Sequence, residues 1–388
     1  MTSDILIRGS NPAQARWAVF TAFLIHGLLI GAWVPHVALA KERLDVGPGV
    51  FGLALLAFSG GAILAMPVAG VLINRFGSAV MTLVTGILFC GAFLGPVLAS
   101  TMPGFVLAGV AMGMMIGAMD VAMNAHGIAV EKALRRPVMS MFHGSFSIGS
   151  MFGTFLGAAM LSRYGVLPQA GGTALLCLAL ILMASRFFLP GDVDKGLSGT
   201  HFAWPTRATI GLGLLCLLAL MIEGSILDWA AIMMREKYMI DAGFAALGFG
   251  FYQAGMAVAR FTGDWIRLKV GAVTMVRVSA LMAAAATTVA LLALSPEIAI
   301  AAFVFAGLGL GNVAPVLFAG GGRLEPDAPG RGIAAVTTLG YTGFLLGPPL
   351  LGLVAEVTSL TAALFLTVIA ALIIAVFAQL AKSADSYH

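Results

Sequence analysis

P-G-F-V-L-A-G-V-A-M-G-M-M-I-G-A-M-D-V-A-M-N-A-H-G-I-A, Pro103 to Ala129, carries one charge, Asp120, in an otherwise apolar run. A helix needs about 20 apolar residues to cross the hydrocarbon of a bilayer, and this run is long enough. A carboxylate at the bilayer centre costs about 2.5–3.5 kcal/mol on insertion scales. Such a residue is tolerated where it faces a polar cavity, an ion path or a partner. A second stretch, I-E-G-S-I-L-D-W from Ile222 to Trp229, places Glu223 and Asp228 in the same situation.

The rest of the chain follows this pattern. It is 60% hydrophobic and 10% charged, whereas soluble domains carry about 25% charged residues. Lipid must therefore solvate most of the apolar surface. The spacing predicts twelve membrane helices, at 16–40, 50–74, 78–99, 103–129, 138–162, 169–189, 207–233, 243–266, 271–293, 298–320, 332–356 and 360–381. The longest polar stretch, 190–206, falls after the sixth. It predicts a six-helix bundle over 1–189, a cytoplasmic linker over 190–206 and a second six-helix bundle over 207–388.

Orientation follows from the basic residues. Arg75, Lys132, Arg135, Arg136, Arg267, Lys269, Arg323 and Arg331 fall on the side of the N-terminus. Fewer fall on the other side: Lys41, Arg43, Arg163, Arg235 and Lys237. Both termini are therefore expected in the cytoplasm of an inner, or plasma, membrane protein. No signal-peptide cleavage is expected. The net charge of +4 is no nucleic-acid signal, because the basic residues are spread over short loops. Cys90, Cys177 and Cys216 are far apart in apolar runs and read as packing residues.

Several reaction classes are disfavoured. No G-x-x-x-x-G-K-[ST], H-E-x-x-H or G-x-S-x-G occurs, which argues against ATP-driven transport and against an intramembrane enzyme. His26, His36, His126 and His143 show no paired metal-ligand spacing. No cofactor and no metal are expected.

The halves repeat faintly. I-H-G-L-L-I-G-A-W, Ile25 to Trp33, parallels Ile222 to Trp229, and Gly117-x-x-Asp120 parallels Gly309-x-x-Asn312. The second connection runs from Gly70 to Gly77, and its counterpart from Gly263 to Gly271. Paired six-helix halves with a site at their interface are a transporter architecture.

At this point the whole chain resembles the major facilitator superfamily. The stretch G-V-L-I-N-R-F-G, Gly70 to Gly77, matches that family's loop signature at both glycines and at Arg75, with Asn74 in place of the usual Asp. The second copy keeps Gly263 and Asp264. The resemblance implies that Gly70, Asn74, Arg75, Gly77, Gly263 and Asp264 form gating loops. Four stretches are most similar to the fucose-permease-like branch and its YbjJ-type inner-membrane proteins. They are D-V-A-M-N (Asp120 to Asn124), M-F-H-G-S-F-S-I-G (Met141 to Gly149), E-G-S-I-L-D-W (Glu223 to Trp229) and G-P-P-L-L-G (Gly347 to Gly352). Relatives in that branch carry an acid at the Asp120 position, which implies proton coupling there. The span-five Gly-Pro mark of drug antiporters is absent, since Thr154 follows Gly153.

The candidate proton-coupling residues are Asp120, Glu223, Asp228, His26 and His143. Structural hydrogen bonding is the alternative for each, and an outer ion pair for Asp228. The candidate cavity residues are Asn124, Trp33, Trp229, Tyr252, Gln253, Asn312 and Tyr341, with helix packing as the alternative. Arg260 is expected to snorkel to the cytoplasmic surface. His126 is a weaker candidate, and the cluster Glu131, Lys132, Arg135 and Arg136 reads as a positive-inside anchor. Pro348 and Pro349 are expected to kink their span.

These expectations converge on an all-α secondary transporter, a monomer in the lipid bilayer. Its partners would be protons and a small-molecule substrate, moved as proton-coupled symport of a small polar, sugar-like solute. Efflux of an amphiphile and a non-transporting sensor or scaffold are the rival readings.

Overall fold

A computed structural model describes residues 11–190, 203–325 and 327–385. Among the described residues every regular element is helical. Among these residues eleven helical spans are long and apolar enough to cross a membrane, Pro296–Leu324 counted as one, and they become twelve if the bent pair at the C-terminal end is also one span. The expected linker lies mostly outside the described residues. By Cα packing the chain forms two compact units, one of Met1–His36 and Ala57–Ser198, the other of Val37–Leu56 and Gly199–His388.

The first unit contains most of α1 (Pro12–Leu44) and α2 (Pro48–Phe76), together with α3 (Ser78–Leu98), α4 (Met102–Leu134), α5 (Met139–Tyr164) and α6 (Val166–Ser185). The second contains α7 (Ile210–Tyr238), α8 (Ala242–Val270), α9 (Ala272–Leu292), α10 (Pro296–Leu310), α11 (Val313–Leu324), α12 (Pro329–Val357), α13 (Leu360–Val376) and a terminal 3-10 helix (Ala378–Asp385). It also takes in the α1–α2 corner, Val37–Leu56.

Local chemistry sets several boundaries. Thr101, Asp241, Ser295 and Ser359 each accept a backbone N–H with their side chain at a helix start, satisfying a donor that the first turn leaves orphaned. The expected loops at Gly70–Gly77 and Gly263–Gly271 are almost wholly helix. Each connection shrinks to one glycine, Gly77 at φ 87° and Gly271 at φ 78°, a conformation that side chains with a Cβ rarely adopt. The expected tenth span is broken at Gly311 and Asn312 into α10 and α11. Asn312 Nδ2 there donates to Ala259 O of α8 at 2.7 Å. α12 continues through Pro348 and Pro349.

Glycines weld particular helix pairs. In the first unit, Gly27 and Gly31 of α1 press on the Phe146 and Ser150 backbone of α5, and Gly149 and Gly153 return the contact at Leu24 and Leu28. Gly61 of α2 meets Val110 of α4, while Gly113 and Gly117 meet Phe58 and Ala62. In the second unit, Gly343 of α12 lies on Leu217 of α7, and Gly255 and Gly307 join α8 to α10. Small residues let membrane helices approach this closely. Counted as spans, one meets five and two meets four in the first half, and seven meets eleven and eight meets ten in the second. The faint sequence repeat thus has a packing counterpart.

Candidate functional site

In the first unit the chemistry gathers between α1 and α4. The α1–α5 weld turns His26, next to Gly27, away from α5's backbone, with its ring flanked by Phe89 and Phe146. Nε2 lies 3.2 Å from Ile116 O. A carbonyl only accepts, so Nε2 carries the proton. Nδ1 is buried and has no hydrogen-bond partner. The ring is within electrostatic reach of Asp120, one turn beyond Ile116 on α4. Asn124, a further turn on, donates through Nδ2 to Asp120 O at 2.8 Å and to Oδ1 at 3.2 Å. Asp120 and Asn124 are both partly buried.

Trp33 is buried against Phe58 and Phe105. His36 binds Gln169 Oε1 through Nε2 in a fully buried pair. His143 is exposed and sits edge-on to Phe23, a turn before His26 on α1. His126 has a different setting. It accepts Leu189 N–H at Nε2, 3.2 Å away, so its proton is on Nδ1, which donates to Ser78 Oγ at 2.8 Å. It thereby ties the start of α3 and the end of α6 to α4. Glu131, in the loop cluster, accepts Val138 N–H and Met139 N–H at 2.7 and 3.1 Å and caps α5.

In the second unit Glu223 of α7 faces α8. Its Oε1 lies 3.5 Å from Arg260 Nη2, and the two side chains are 13% and 12% exposed. Arg260 therefore does not snorkel. The guanidinium turns instead to the Glu223 carboxylate on the neighbouring helix. Tyr252 and Gln253 are buried on α8, and Tyr252 Oη and Gln253 Oε1 have no hydrogen-bond partner. The Tyr252 hydroxyl is within electrostatic reach of both Glu223 and Arg260. Asp228 is partly buried five residues further along α7. Trp229 is fully buried, edge-on to Phe51, and Tyr341 is partly buried beside Phe344. Asn312 is spent on the α10–α11 break.

Of the proposed gating residues, Gly70, Gly77 and Gly263 are buried, and Asn74, Arg75 and Asp264 are exposed. Arg75 lies over the Phe76 ring at 5.2 Å. Among the described residues no group of His, Cys, Asp and Glu could hold a metal ion.

Sequence reasoning missed two features. One is the partner of Arg260, a basic residue inside an apolar span whose pairing with Glu223 of α7 no local pattern marks. The other is the α1–α2 corner. Glu42 accepts Arg235 Nε and Nη2 at 2.5 and 2.7 Å, Lys41 pairs with Glu236 at 2.8 Å, and Glu356 of α12 accepts Gly49 N–H at 2.8 Å on the first turn of α2. The partners are distant in the chain, and no local pattern links them.

Comparison with known proteins gives three kinds of match. The profile described as Major Facilitator Superfamily matches residues 17–210. A Yersinia pestis protein named an uncharacterized MFS-type transporter is 33% identical over 88% of this chain and 89% of its own length. Membrane protein MosC of Rhizobium meliloti is 28% identical over 92% of this chain and 88% of its own. Among solved structures, a point mutant of the nucleoside transporter NupG superposes with a TM-score of 0.74 at 13% identity, covering 94% of this chain and 99% of that one. At that identity the likeness concerns the fold alone.

Proposed function

The chain belongs to the Major Facilitator Superfamily, and from that premise we propose that it is a proton-coupled symporter of a small polar solute, working by alternating access. The observation that carries this reading is the pairing of polar groups at partly buried carboxylates in both units. Asp120 has Asn124 and the buried His26 beside it, and Glu223 has Arg260 and Tyr252. Acidic side chains inside membrane spans are costly to insert and mark substrate, ion or proton pathways. In this scheme a proton on Asp120 or Glu223 admits the solute, the two six-helix bundles rock, and proton and solute leave together.

The sequence features support membership of the fucose-permease-like branch, as a monomer in an inner membrane with both termini cytoplasmic. The α1–α2 corner and its ion pairs then lie on the outer side, where they serve as a latch.

The test is proton movement in proteoliposomes loaded with a pH-sensitive dye. They are challenged in turn with pooled sugars, organic acids and amphiphilic drugs, beside Asp120→Asn and Glu223→Gln. A solute-dependent pH change that either variant abolishes supports the proposal. A response to the amphiphile pool alone replaces symport with efflux. Solute counterflow without any pH change refutes proton coupling, and no flux in any arm refutes transport.

A further inference from the structure

The second unit holds more unsatisfied polar chemistry than a structural ion pair needs. Arg260 and Glu223 approach to 3.5 Å, where a well-made guanidinium–carboxylate pair is bidentate at about 2.7–2.9 Å. Tyr252, whose hydroxyl is within electrostatic reach of both, is fully buried with that hydroxyl unpartnered, and Gln253, next to it in the chain, is 2% exposed with its Oε1 unpartnered. Each such group is costly to bury without a partner. Gln253 and Arg260 are seven residues apart on α8, two turns along one helical face and about 10 Å in rise.

The chemistry of these groups defines an occupant. Arg260 and the Tyr252 hydroxyl both donate, which suits a carboxylate. Gln253 Oε1 accepts, which suits a hydroxyl further along the same molecule. Glu223 competes with the ligand's carboxylate for Arg260.

We propose that Arg260, Tyr252 and Gln253 form a binding subsite for a polyhydroxylated organic acid, whose carboxylate displaces Glu223 from Arg260. This deepens the reading of the chain as a carrier of small polar solutes and rests on it. It narrows that class from neutral sugars to sugar acids. Neutral sugars lack the anion that Arg260 requires, and amino sugars place a cation beside it.

The experiment uses the full chain in lipid nanodiscs. Binding is measured by thermal protection with a pool of four- to six-carbon aldonates and uronates, the matched neutral sugars, and amino sugars. The acids are expected to bind at least tenfold more tightly than the neutral sugars. Glu223→Gln removes the competitor and is expected to tighten acid binding several-fold. Arg260→Gln is expected to erase the preference for acids, and Tyr252→Phe to weaken acid binding a few-fold while keeping the preference. Monodispersity on gel filtration identifies a variant that fails to fold, and Glu223→Gln then decides the matter alone. Equal binding of acids and neutral sugars, weaker acid binding in Glu223→Gln, or no binding in wild type and Glu223→Gln alike overturns the subsite. Counterflow with the same pools separates the two readings. Neutral-sugar flux that is indifferent to Arg260→Gln sinks the subsite and leaves transport standing. Acid binding without any flux does the reverse.

Discussion

Gly149→Ala tests the α1–α5 weld. A Cβ placed on Gly149 would stand 2.8 Å from the Leu24 carbonyl carbon and 3.0 Å from its Cα. Carbon atoms settle at about 3.5–4.0 Å, so the overlap is about 0.5–1.2 Å. Both neighbours are backbone and cannot rotate away. The helices would have to part along the whole seam of Gly27, Gly31, Gly149 and Gly153. Overpacking of this kind costs about 1–3 kcal/mol, and alanine returns about 1 kcal/mol of helix propensity. The net expectation is a loss of up to about 2 kcal/mol. Gly91→Ala on α3 is the internal control, because a Cβ there meets nothing within 4 Å; it should gain about 0.5–1 kcal/mol. Thermal unfolding of both variants in nanodiscs gives the answer as a difference of sign. If Gly149→Ala melts at or above the wild-type temperature, the seam is not the tight contact described.

Three further perturbations read other contacts. Asp385 accepts Ala272 N–H at 2.7 Å just past Gly271, so Asp385→Ala should cost about 1 kcal/mol as a lost helix cap, with Asp385→Asn recovering most of it in the same melts. His126→Leu strands the Leu189 N–H that the ring accepts and should cost about 1–3 kcal/mol, partly rescued by His126→Gln; an unchanged melting temperature would contradict the assigned tautomer. Arg235 and Glu42 have side chains 25% and 54% exposed, so a double-mutant cycle should give a coupling of about 0.2–1 kcal/mol that shrinks in high salt; a coupling that salt leaves untouched would argue against a solvent-screened pair.

The membrane helices were legible because hydropathy is a local property and lipid leaves little choice of structure. Their ends were less so: Pro12–Leu44 runs several residues past the expected 16–40 on each side, since hydropathy marks the apolar stretch and not where the helix stops. The break of the tenth span could not be foreseen, because it depends on the Asn312 amide finding Ala259 O on another helix. The residues around Asp120 were legible as a type, an acid with an amide one turn away on one face. The neighbour that completes the group, His26, lies 90 residues from its carbonyl partner Ile116, a proximity created only by tertiary packing. Arg260 was misread for a related reason. Snorkelling is the right expectation for a lone arginine, and only the packing of α7 on α8 shows that it is not alone.

The seams have a bearing on permeation. Where Gly27, Gly31, Gly149 and Gly153 bring α1 and α5 into backbone contact, no room remains for even a methyl group between them. The joints of α2 with α4, and of α8 with α10, are sealed in the same manner. Each weld is a bulkhead as well as a fastener. His26 lies immediately beside one such bulkhead, and Tyr252 and Arg260 are carried on a helix that forms another.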